Sequence, residues 1–304
     1  MEQLKELSEK NGPLCVGLDT DPSYLPQAVL DRFSTSAEAV LAYNKEIIAR
    51  IAQDTSACCC KIQIAYYEAM GLLGMGAYKE TIKAVKDAGL IAISDIKRGD
   101  IADTAKAYAR AHLAHGADFE TDIITVNPYM GFDTLAPFTE YTKSENGAKG
   151  LFVLLRTSNP GMADIEQQEL KSGGRVLDRT GAELARIARE FEAKHPAQTC
   201  SPVGAVVGCT EEGDARLLRD AYPNIFFLIP GYGAQGGAAR IAATLLGKAG
   251  GTVNSSRGIL CAWKKDATCA EKPNPTLADI ADAAARAAAA SKADLLAAKN
   301  ALGM

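Results

Sequence analysis

The sequence lacks the features that mark a membrane protein, a basic nucleic-acid-binding protein or a secreted protein. No apolar run approaches the roughly 20 residues that a membrane-spanning helix needs. Lysine and arginine number 33 against 37 aspartates and glutamates, so the net charge of −4 favours neither nucleic acid nor an anionic membrane as a partner. The N-terminal stretch Met1–Lys10 is charged and has no apolar segment, so we predict no signal peptide and a cytoplasmic protein.

The eight cysteines include no Cys-x-x-Cys pair, although Cys58, Cys59 and Cys60 are adjacent in an apolar stretch. Successive residues of a strand point to opposite faces of a sheet, so these three thiols cannot all face one metal ion. We therefore expect small, buried, hydrophobic side chains that a reducing cytosol keeps as free thiols, and no metal site.

Short apolar or β-rich runs alternate with segments of helical composition along the 304-residue chain. The runs are Leu14–Leu18, Ala57–Ile64, Leu90–Ser94, Asp122–Val126, Gly150–Leu155, Val203–Val207, Ile225–Ile229 and Thr252–Ser255. The helical segments are Ser36–Gln53, Tyr78–Asp87, Ile101–His115, Gly181–His195, Glu211–Ala221 and Gln235–Ala249. Several runs are almost continuously apolar, as parallel strands covered on both faces require. The alternation predicts an α/β protein with one (β/α)8 TIM-barrel domain over residues 1–304, and an open doubly wound sheet is the alternative that strand counting leaves open.

Two stretches fall outside this alternation and are predicted as loop insertions, one near 159–176 and one near 261–275. The first is too long for a typical connection between a strand and a helix, and the second is polar with two prolines. The alanine-rich tail Leu277–Leu302 predicts a terminal helix that covers the barrel. The three histidines lie in helical segments, so we expect helix-surface residues rather than general bases; they are His112, His115 and His195.

Polar residues lie in or directly after seven of the eight predicted strands. They are Asp19, Lys61, the segment Asp95–Asp100, Asn127, the segment Arg156–Ser158, the pair Pro230–Gly231 and the pair Arg257–Gly258. Because a barrel builds its active site at the C-terminal ends of its strands, we predict that these residues surround a catalytic site.

The most informative of these segments is Asp95-Ile96-Lys97-Arg98-Gly99-Asp100. Asp95 and Lys97 are two apart on a strand, so both side chains leave the same face, and Asp100 follows after a turn. With Lys61 from the neighbouring strand, the segment predicts an alternating array of two lysines and two aspartates. A solvated charge cluster at a turn is the alternative, but the apolar strand that leads into the segment favours an array at the barrel mouth.

A phosphate site is indicated by the segments that follow the last two strands. Gln235-Gly236-Gly237 offers close approach to backbone N–H groups, and Arg257 offers a bidentate guanidinium. Barrels commonly hold phosphate in the loops after strands seven and eight.

In these residues the chain resembles the orotidine 5′-phosphate decarboxylase family, and looks like its longer prokaryotic-type branch. The resemblance rests on the family's DxKxxDI pattern at Asp95–Ile101 and on four other matches in the family's order. These are Val16–Asp19, Thr157–Gly161, Pro230–Gly237 and Asn254–Gly258. The DxKxxD pattern alone is shared with other phosphosugar barrels of the superfamily.

The resemblance implies that the chain decarboxylates orotidine 5′-phosphate to uridine 5′-phosphate, the last step of de novo uridine monophosphate synthesis, without a cofactor or a metal. It implies that Lys97 protonates C6 of the base as carbon dioxide leaves. Lys61 and Asp95 resemble the residues that hold that lysine in position. Electron sinks such as a pyridoxal ring have no evident place in the sequence, so catalysis would depend on preorganised charges and a placed proton donor.

The resemblance also implies a homodimer and a set of substrate-binding residues. Asp100, Ile101 and Thr104 resemble residues that the family delivers across the dimer interface into the partner's site. Asp19 resembles the ribose-hydroxyl ligand, and Ser158 resembles the residue that reads the pyrimidine edge. The other predicted substrate-binding residues are Pro230, Gln235, Gly236, Arg257 and Gly258.

Two alternative functions stay open at this point. One is a metal-dependent sugar-phosphate decarboxylase or aldolase of the same superfamily, whose members place an acidic metal ligand where this chain has Lys61. The other is a non-catalytic phosphate-binding barrel, which would have no need of a proton donor such as Lys97.

Overall fold

The eight predicted runs form eight parallel strands, which close into a barrel in the order of the sequence. The strands are β1 Leu14–Gly17, β2 Cys59–Gln63, β3 Ile91–Arg98, β4 Ile123–Val126, β5 Gly150–Arg156, β6 Val203–Val207, β7 Phe227–Ile229 and β8 Gly251–Ser255. The computed structural model describes residues 1–143, 148–233 and 238–303. The closure of β8 on β1 confirms the predicted TIM barrel and excludes the open doubly wound sheet.

The first helix precedes β1 and packs Leu4 into the apolar cluster inside the barrel, whereas the other helices follow strands around the outside of the barrel. In the described ranges the helices are α1 Glu2–Asn11, α2 Gln27–Leu30, α3 Ser36–Gln53, α4 Ile64–Glu68, α5 Gly71–Asp87, α6 Ala102–Leu113, α7 Ala136–Thr139, α8 Val176–Lys194, α9 Glu212–Ala221, α10 Ala238–Leu246, α11 Arg257–Leu260, α12 Ala267–Ala270 and α13 Leu277–Ala301. The helices α5 and α8 begin several residues earlier than predicted, and six of these helices have no counterpart among the predicted helical segments: α1, α2, α4, α7, α11 and α12. In the described ranges, no helix is both long enough and apolar enough to span a membrane.

Apolar side chains fill two layers, because strands covered on both faces bury residues of both orientations. The larger layer lies between the sheet and the helices and includes Val16, Cys60 and Val153. The smaller one lies inside the barrel, where Phe152 and Phe226 meet with ring centroids 6.3 Å apart. Because both faces of the sheet are covered by apolar layers, successive residues of several strands are apolar, and these strands appear in the sequence as nearly continuous apolar runs.

The adjacent cysteines are buried on both faces of β2 or beside it, as predicted. Cys58, Cys59 and Cys60 are buried free thiols. Cys59 faces the barrel interior and Cys60 faces the outer layer, as their positions on one strand require. Across the described ranges, no group of three or more histidine, cysteine, aspartate or glutamate side chains is arranged to hold a metal ion.

One histidine prediction is wrong. His112 is only 4% exposed and stacks on Phe119, with ring centroids 5.8 Å apart. Burial, and after it the nearby charge of Arg98, lowers the pKa of His112 to about 4. His112 is therefore a neutral packing residue, because α6 turns it toward the sheet. His115 and His195 are exposed, as predicted.

The two predicted insertions contain local structure of their own. Residues 159–176 form a turn at Pro160–Asp164 and an antiparallel bridge between Glu169 and Arg175. Residues 261–275 form a turn at Ala262–Lys264 and the short α12, which α13 holds by an ion pair between Arg286 and Asp266. The helix α13 begins at a capping box and packs its buried alanines against α3 and α10, as expected of the terminal helix.

Candidate active site

Four charged side chains meet at the C-terminal ends of β1, β2 and β3 and form one continuous row of ion pairs. Lys61 lies between two carboxylates, with its Nζ 3.0 Å from Oδ1 of Asp19 and 2.9 Å from Oδ2 of Asp95. The Nζ of Lys97 lies 2.7 Å from the other oxygen of Asp95. We call this row, Asp19–Lys61–Asp95–Lys97, the charge array. It is an alternating array of two lysines and two aspartates.

The second aspartate of the array is Asp19, whereas the spacing predicts Asp100. Asp100, which the spacing places in the same small volume as Asp95 and Lys97, accepts a hydrogen bond from the backbone N–H of Ile101. Within the described residues it makes no ion pair with Lys97. The turn after β3 carries Asp100 away from its own strand end, and Asp19 from β1 takes the place expected for it.

The carboxylate of Asp95 is surrounded by donors. Its Oδ2 accepts from Lys61 and from the side-chain amide of Gln63 at 3.0 Å, and its Oδ1 accepts from Lys97 and from the hydroxyl of Thr125 at 2.8 Å. The sequence reasoning missed both neutral donors. Gln63 lies two residues after Lys61 on the same strand, so its side chain is expected on the same face as that of Lys61. Thr125 has no such feature, because threonine is common in strands.

The surroundings of the array keep its buried members charged. Burial alone would raise the pKa of Asp95, but the positive charges of Lys61 and Lys97 outweigh it and hold that pKa well below the usual range. Burial likewise opposes protonation of Lys61, but the charges of Asp95 and Asp19 outweigh it and raise its pKa. The array therefore contains a permanent buried carboxylate beside the half-exposed ammonium of Lys97.

A bulge in β3 brings Lys97 to this place. Ser94 pairs with Ile124 and Arg98 pairs with Val126, so four residue steps on β3 stand opposite two on β4. Lys97 lies in the bulge with φ of 45°, in the left-handed region that side chains other than glycine rarely adopt. Its backbone N–H donates to the hydroxyl of Thr125 at 2.9 Å.

Asp19 is held from the other side by the end of β8. The hydroxyl of Ser256 donates to Oδ2 of Asp19 at 2.7 Å, and Asn254 donates to Ser256 at 3.1 Å. This approach requires glycine at position 17, because a Cβ there would lie 2.0 Å from the Ser256 hydroxyl oxygen. The matched segments Val16–Asp19 and Asn254–Gly258 thus fold against each other.

The predicted substrate-binding residues lie around the rest of the mouth. Ser158 and Pro230 converge on Gly208 at the end of β6, where a Cβ would meet Ser158 at 2.9 Å and Pro230 at 3.2 Å. Arg257 and Gly258 are exposed just after β8. In the described part of the chain, the guanidinium of Arg257 makes no ion pair and so is free to meet an anion. The remaining two predicted residues, Gln235 and Gly236, lie outside the described residues.

Both insertions brace the loops of the mouth. Glu166, in the insertion near 159–176, accepts from the backbone N–H and the hydroxyl of Thr157 at 2.9 and 2.7 Å, directly before Ser158. Trp263, in the insertion near 261–275, donates its indole N–H to the carbonyl of Tyr24 at 2.8 Å, in the turn that follows Asp19.

Two of the polar residues at strand ends belong to the scaffold rather than to the site. Arg156 is buried, pairs with Asp214 of α9 at 3.0 Å and donates to the carbonyl of Gly208. Asn127 accepts from the backbone N–H of Tyr129 and so closes the turn after β4. Their positions after strands are those of site residues, but their side chains stabilise the loops.

Asp100, Ile101 and Thr104 lie apart from the charge array of their own chain. Ile101 is 54% exposed and Thr104 is exposed on the first turns of α6. Asp100 is half-buried.

A cleft of about 750 Å3 opens at the opposite, N-terminal end of the strands, lined in part by Ile91, Asp122 and Lys149. None of the array residues lines it. The ion pairs therefore locate the candidate active site at the mouth and not in this cleft.

Comparison with known proteins agrees with the geometry. A family model described as orotidine 5′-phosphate decarboxylase / HUMPS family matches residues 12–271. The chain is 50% identical over 268 residues to the orotidine 5′-phosphate decarboxylase of Clostridium botulinum strain Hall, covering 87% of this chain and 90% of that relative. It is 49% identical over 264 residues to the enzyme of the same name from Clostridium perfringens strain 13, covering 86% and 89%. The structure of Leishmania donovani OMP decarboxylase matches with a TM-score of 0.68 at 29% identity, covering 96% of this chain and 97% of that one.

Proposed function

The chain belongs to the orotidine 5′-phosphate decarboxylase / HUMPS family, and we propose that Lys97 is the proton donor of its reaction. That reaction is the decarboxylation of orotidine 5′-phosphate to uridine 5′-phosphate, the activity of the curated relatives that match most of the chain. The observation that carries the role of Lys97 is its place in the charge array, at the solvent-accessible end of an otherwise buried row.

The chemistry requires a proton donor beside C6 of the pyrimidine. The bond between C6 and the carboxylate breaks, carbon dioxide leaves, and the electron pair stays at C6 as a vinylic carbanion. The ammonium of Lys97 then gives a proton to C6, and the neutral amine takes a new proton from solvent. In this proposal no cofactor takes part, and fixed charges supply the stabilisation.

Asp95 and Lys61 act on Lys97 in this scheme. Four donors saturate the carboxylate of Asp95, which keeps it in one orientation and makes it a rigid anchor for the Lys97 ammonium. Lys61 offsets the second carboxylate, Asp19, which faces the array from β1. Such preorganised charges need no rearrangement when the carbanion forms.

The substrate would lie across the mouth, with its base over Lys97. We assign the ribose hydroxyls to Asp19, the pyrimidine edge to Ser158 and the phosphate to Arg257. The other residues assigned to the substrate are Pro230, Gln235, Gly236 and Gly258. The guanidinium of Arg257, which makes no ion pair with any described residue, supports this assignment, because a phosphate is the partner that a bidentate donor fits best.

We further propose that the enzyme is a homodimer in which Asp100, Ile101 and Thr104 enter the partner's active site. The exposure of Ile101 and Thr104 at the array end of the barrel supports this. Large apolar side chains are also exposed after β2 and β4, on either side of these residues; they are Leu72, Leu73, Tyr129 and Met130. An exposed apolar patch around a catalytic residue is typical of an interface that completes a site.

We also propose a cytoplasmic location. The eight cysteines, all of which lie in described ranges, are free thiols, as is usual for proteins of reducing compartments.

The function is tested by following the loss of absorbance as orotidine 5′-phosphate becomes uridine 5′-phosphate, with and without EDTA. We expect turnover that EDTA does not change. Activity that EDTA abolishes would indicate a metal-dependent sugar-phosphate enzyme instead. Tight binding of uridine 5′-phosphate with no turnover would indicate a non-catalytic phosphate-binding barrel.

A further inference from the structure

We propose that Thr125 is a positioning residue for Lys97, and that its hydroxyl fixes the β3 bulge and the Asp95 carboxylate at the same time. This inference rests on the proposed role of Lys97 as proton donor. Thr125 does not touch the substrate in this proposal; it acts through the residues it binds.

The hydroxyl of Thr125 links the two residues that matter most for the proton transfer. It accepts from the backbone N–H of Lys97 at 2.9 Å and donates to Oδ1 of Asp95 at 2.8 Å. The same Oδ1 receives the Lys97 ammonium at 2.7 Å. One oxygen atom therefore fixes the main chain of Lys97 and the carboxylate that anchors its side chain.

The bulge explains why a hydroxyl is needed there. Thr125 lies on β4 between Ile124 and Val126, the residues that pair with β3 on either side of the bulge. The ladder resumes beyond it, where the N–H of Asn127 donates to the carbonyl of Arg98 at 2.8 Å. The pairing of β3 with β4 skips Lys97, and the N–H of Lys97 donates to the Thr125 hydroxyl instead.

The backbone of Lys97 needs this support because it is strained. A residue other than glycine with φ of 45° holds that conformation only where its surroundings impose it. The Thr125 side chain is almost fully buried, so solvent does not compete for its hydrogen bonds. Without the hydroxyl, the bulge is free to relax and to move the ammonium away from C6.

The chain offers a matched control at Thr121, just before β4. Thr121 is also fully buried, and its hydroxyl donates to the carbonyl of Ala92 on β3 at 2.9 Å. It joins the same two strands as Thr125 but at the far end from the charge array. Thr121→Val therefore reports the structural effect of losing a buried threonine hydroxyl between these strands.

The test compares Thr125→Val, Thr125→Ser and Thr121→Val by kcat and KM for orotidine 5′-phosphate, by calorimetric binding of uridine 5′-phosphate and by thermal unfolding. Misplacing a catalytic group by about 1 Å lowers a rate by about 100-fold, so we expect kcat of Thr125→Val to fall about 10- to 100-fold. KM and product affinity should change by less than about threefold, since ground-state binding does not use the hydroxyl. Thr125→Ser should recover most of kcat, and Thr121→Val should keep it.

Equal kcat values for Thr125→Val and Thr121→Val would overturn the proposal, as would a Thr125→Ser enzyme as slow as Thr125→Val. If Thr125→Val does not fold, Thr125→Ala and Thr121→Ala replace the valine pair. Failure of both Thr125 variants to fold, with Thr121→Ala folded, would assign the hydroxyl to stability and overturn the positioning role. Wild-type turnover is measured first, because its absence would overturn the proposed function and not the role of Thr125 alone.

Discussion

Lys97 and Asp95 form an ion pair whose two members differ sharply in exposure: the side chain of Lys97 is 45% exposed and that of Asp95 is 7% exposed. The carboxylate is thus part of the protein interior, while the ammonium it holds can reach a ligand in the mouth. Asp95 also keeps three other donors, so its carboxylate stays hydrogen-bonded when Lys97 is replaced.

Replacing Lys97 with alanine should abolish turnover while the fold survives. Loss of a general acid lowers a rate by about 10²–10⁴-fold, and we expect at least that where no other donor faces C6. The absorbance assay measures kcat, and thermal unfolding measures the fold. Lys83→Ala, which removes an exposed lysine paired with Asp87, is the control. A Lys97→Ala enzyme with near-wild-type kcat would contradict the assignment.

Replacing Arg257 with alanine should weaken binding of uridine 5′-phosphate much more than binding of uridine. Hydrogen bonds to charged groups contribute about 1.5–3 kcal/mol, so we expect about a 10- to 100-fold loss for the nucleotide. Calorimetry with both ligands measures the difference. Arg216→Ala, which removes an exposed arginine of α9, should leave both affinities unchanged. Equal losses for the two ligands would show that Arg257 does not hold the phosphate.

The proposed dimer predicts complementation between two inactive variants. If Asp100 enters the partner's site, a mixed dimer of Lys97→Ala and Asp100→Ala chains has one intact site and one site with both changes. Mixing the variants under conditions of subunit exchange should therefore restore up to about one working site per heterodimer. The assay is decarboxylase activity, and native mass spectrometry verifies heterodimer formation. Verified heterodimers without activity would refute the shared site.

The buried histidine predicts a pH dependence of stability. The folded protein lowers the pKa of His112 to about 4, whereas an unfolded chain leaves histidine at about 6.5. As the pH falls below about 6.5 the unfolded state binds the proton first, so the free energy of unfolding decreases until about pH 4. This difference contributes about 2–4 kcal/mol.

His112→Phe, which keeps a ring against Phe119, should remove this part of the pH dependence. Urea unfolding at pH 7, 5.5 and 4 measures it as the difference between wild type and variant. His195→Gln removes an exposed imidazole and should keep the wild-type slope. A wild-type slope in His112→Phe would show that His112 does not titrate in this window.

Much of the fold could be predicted because parallel strands buried on both faces leave long apolar runs, such as β6, which matches its predicted bounds. The type of the charge array was predictable for a similar reason, since Asp95 and Lys97 follow one such run and Lys61 lies within another. The bulge in β3 was not predictable, because alternation of side chains assumes an unbroken ladder. That is why Thr125, which makes sense only opposite the bulge, was missed.

Asp19 and His112 show two other limits of the sequence. Parallel pairing of β1 with β2 places Asp19 beside Lys61, although the two lie 42 positions apart in the sequence. Spacing along the chain predicts Asp100 as the second aspartate of the array, because spacing relates only residues that are close in the sequence. His112 lies on the buried face of the amphipathic helix α6. Because histidine is polar, the sequence pattern predicts that it faces solvent.

The alternating charges of the array also limit which of its residues can be substituted without unfolding the protein. Asp19, Lys61, Asp95 and Lys97 together sum to zero, so a single change at an inner member leaves an uncompensated charge in a buried place. Removing one partner of a buried ion pair typically destabilises a protein by about 3–5 kcal/mol, enough to unfold many domains. Substitutions of the inner members Lys61 and Asp95 are therefore opposed by the loss of folding stability, whatever their effect on activity. Lys97, at the exposed end, is the position where the chemistry of this barrel can change while the barrel persists.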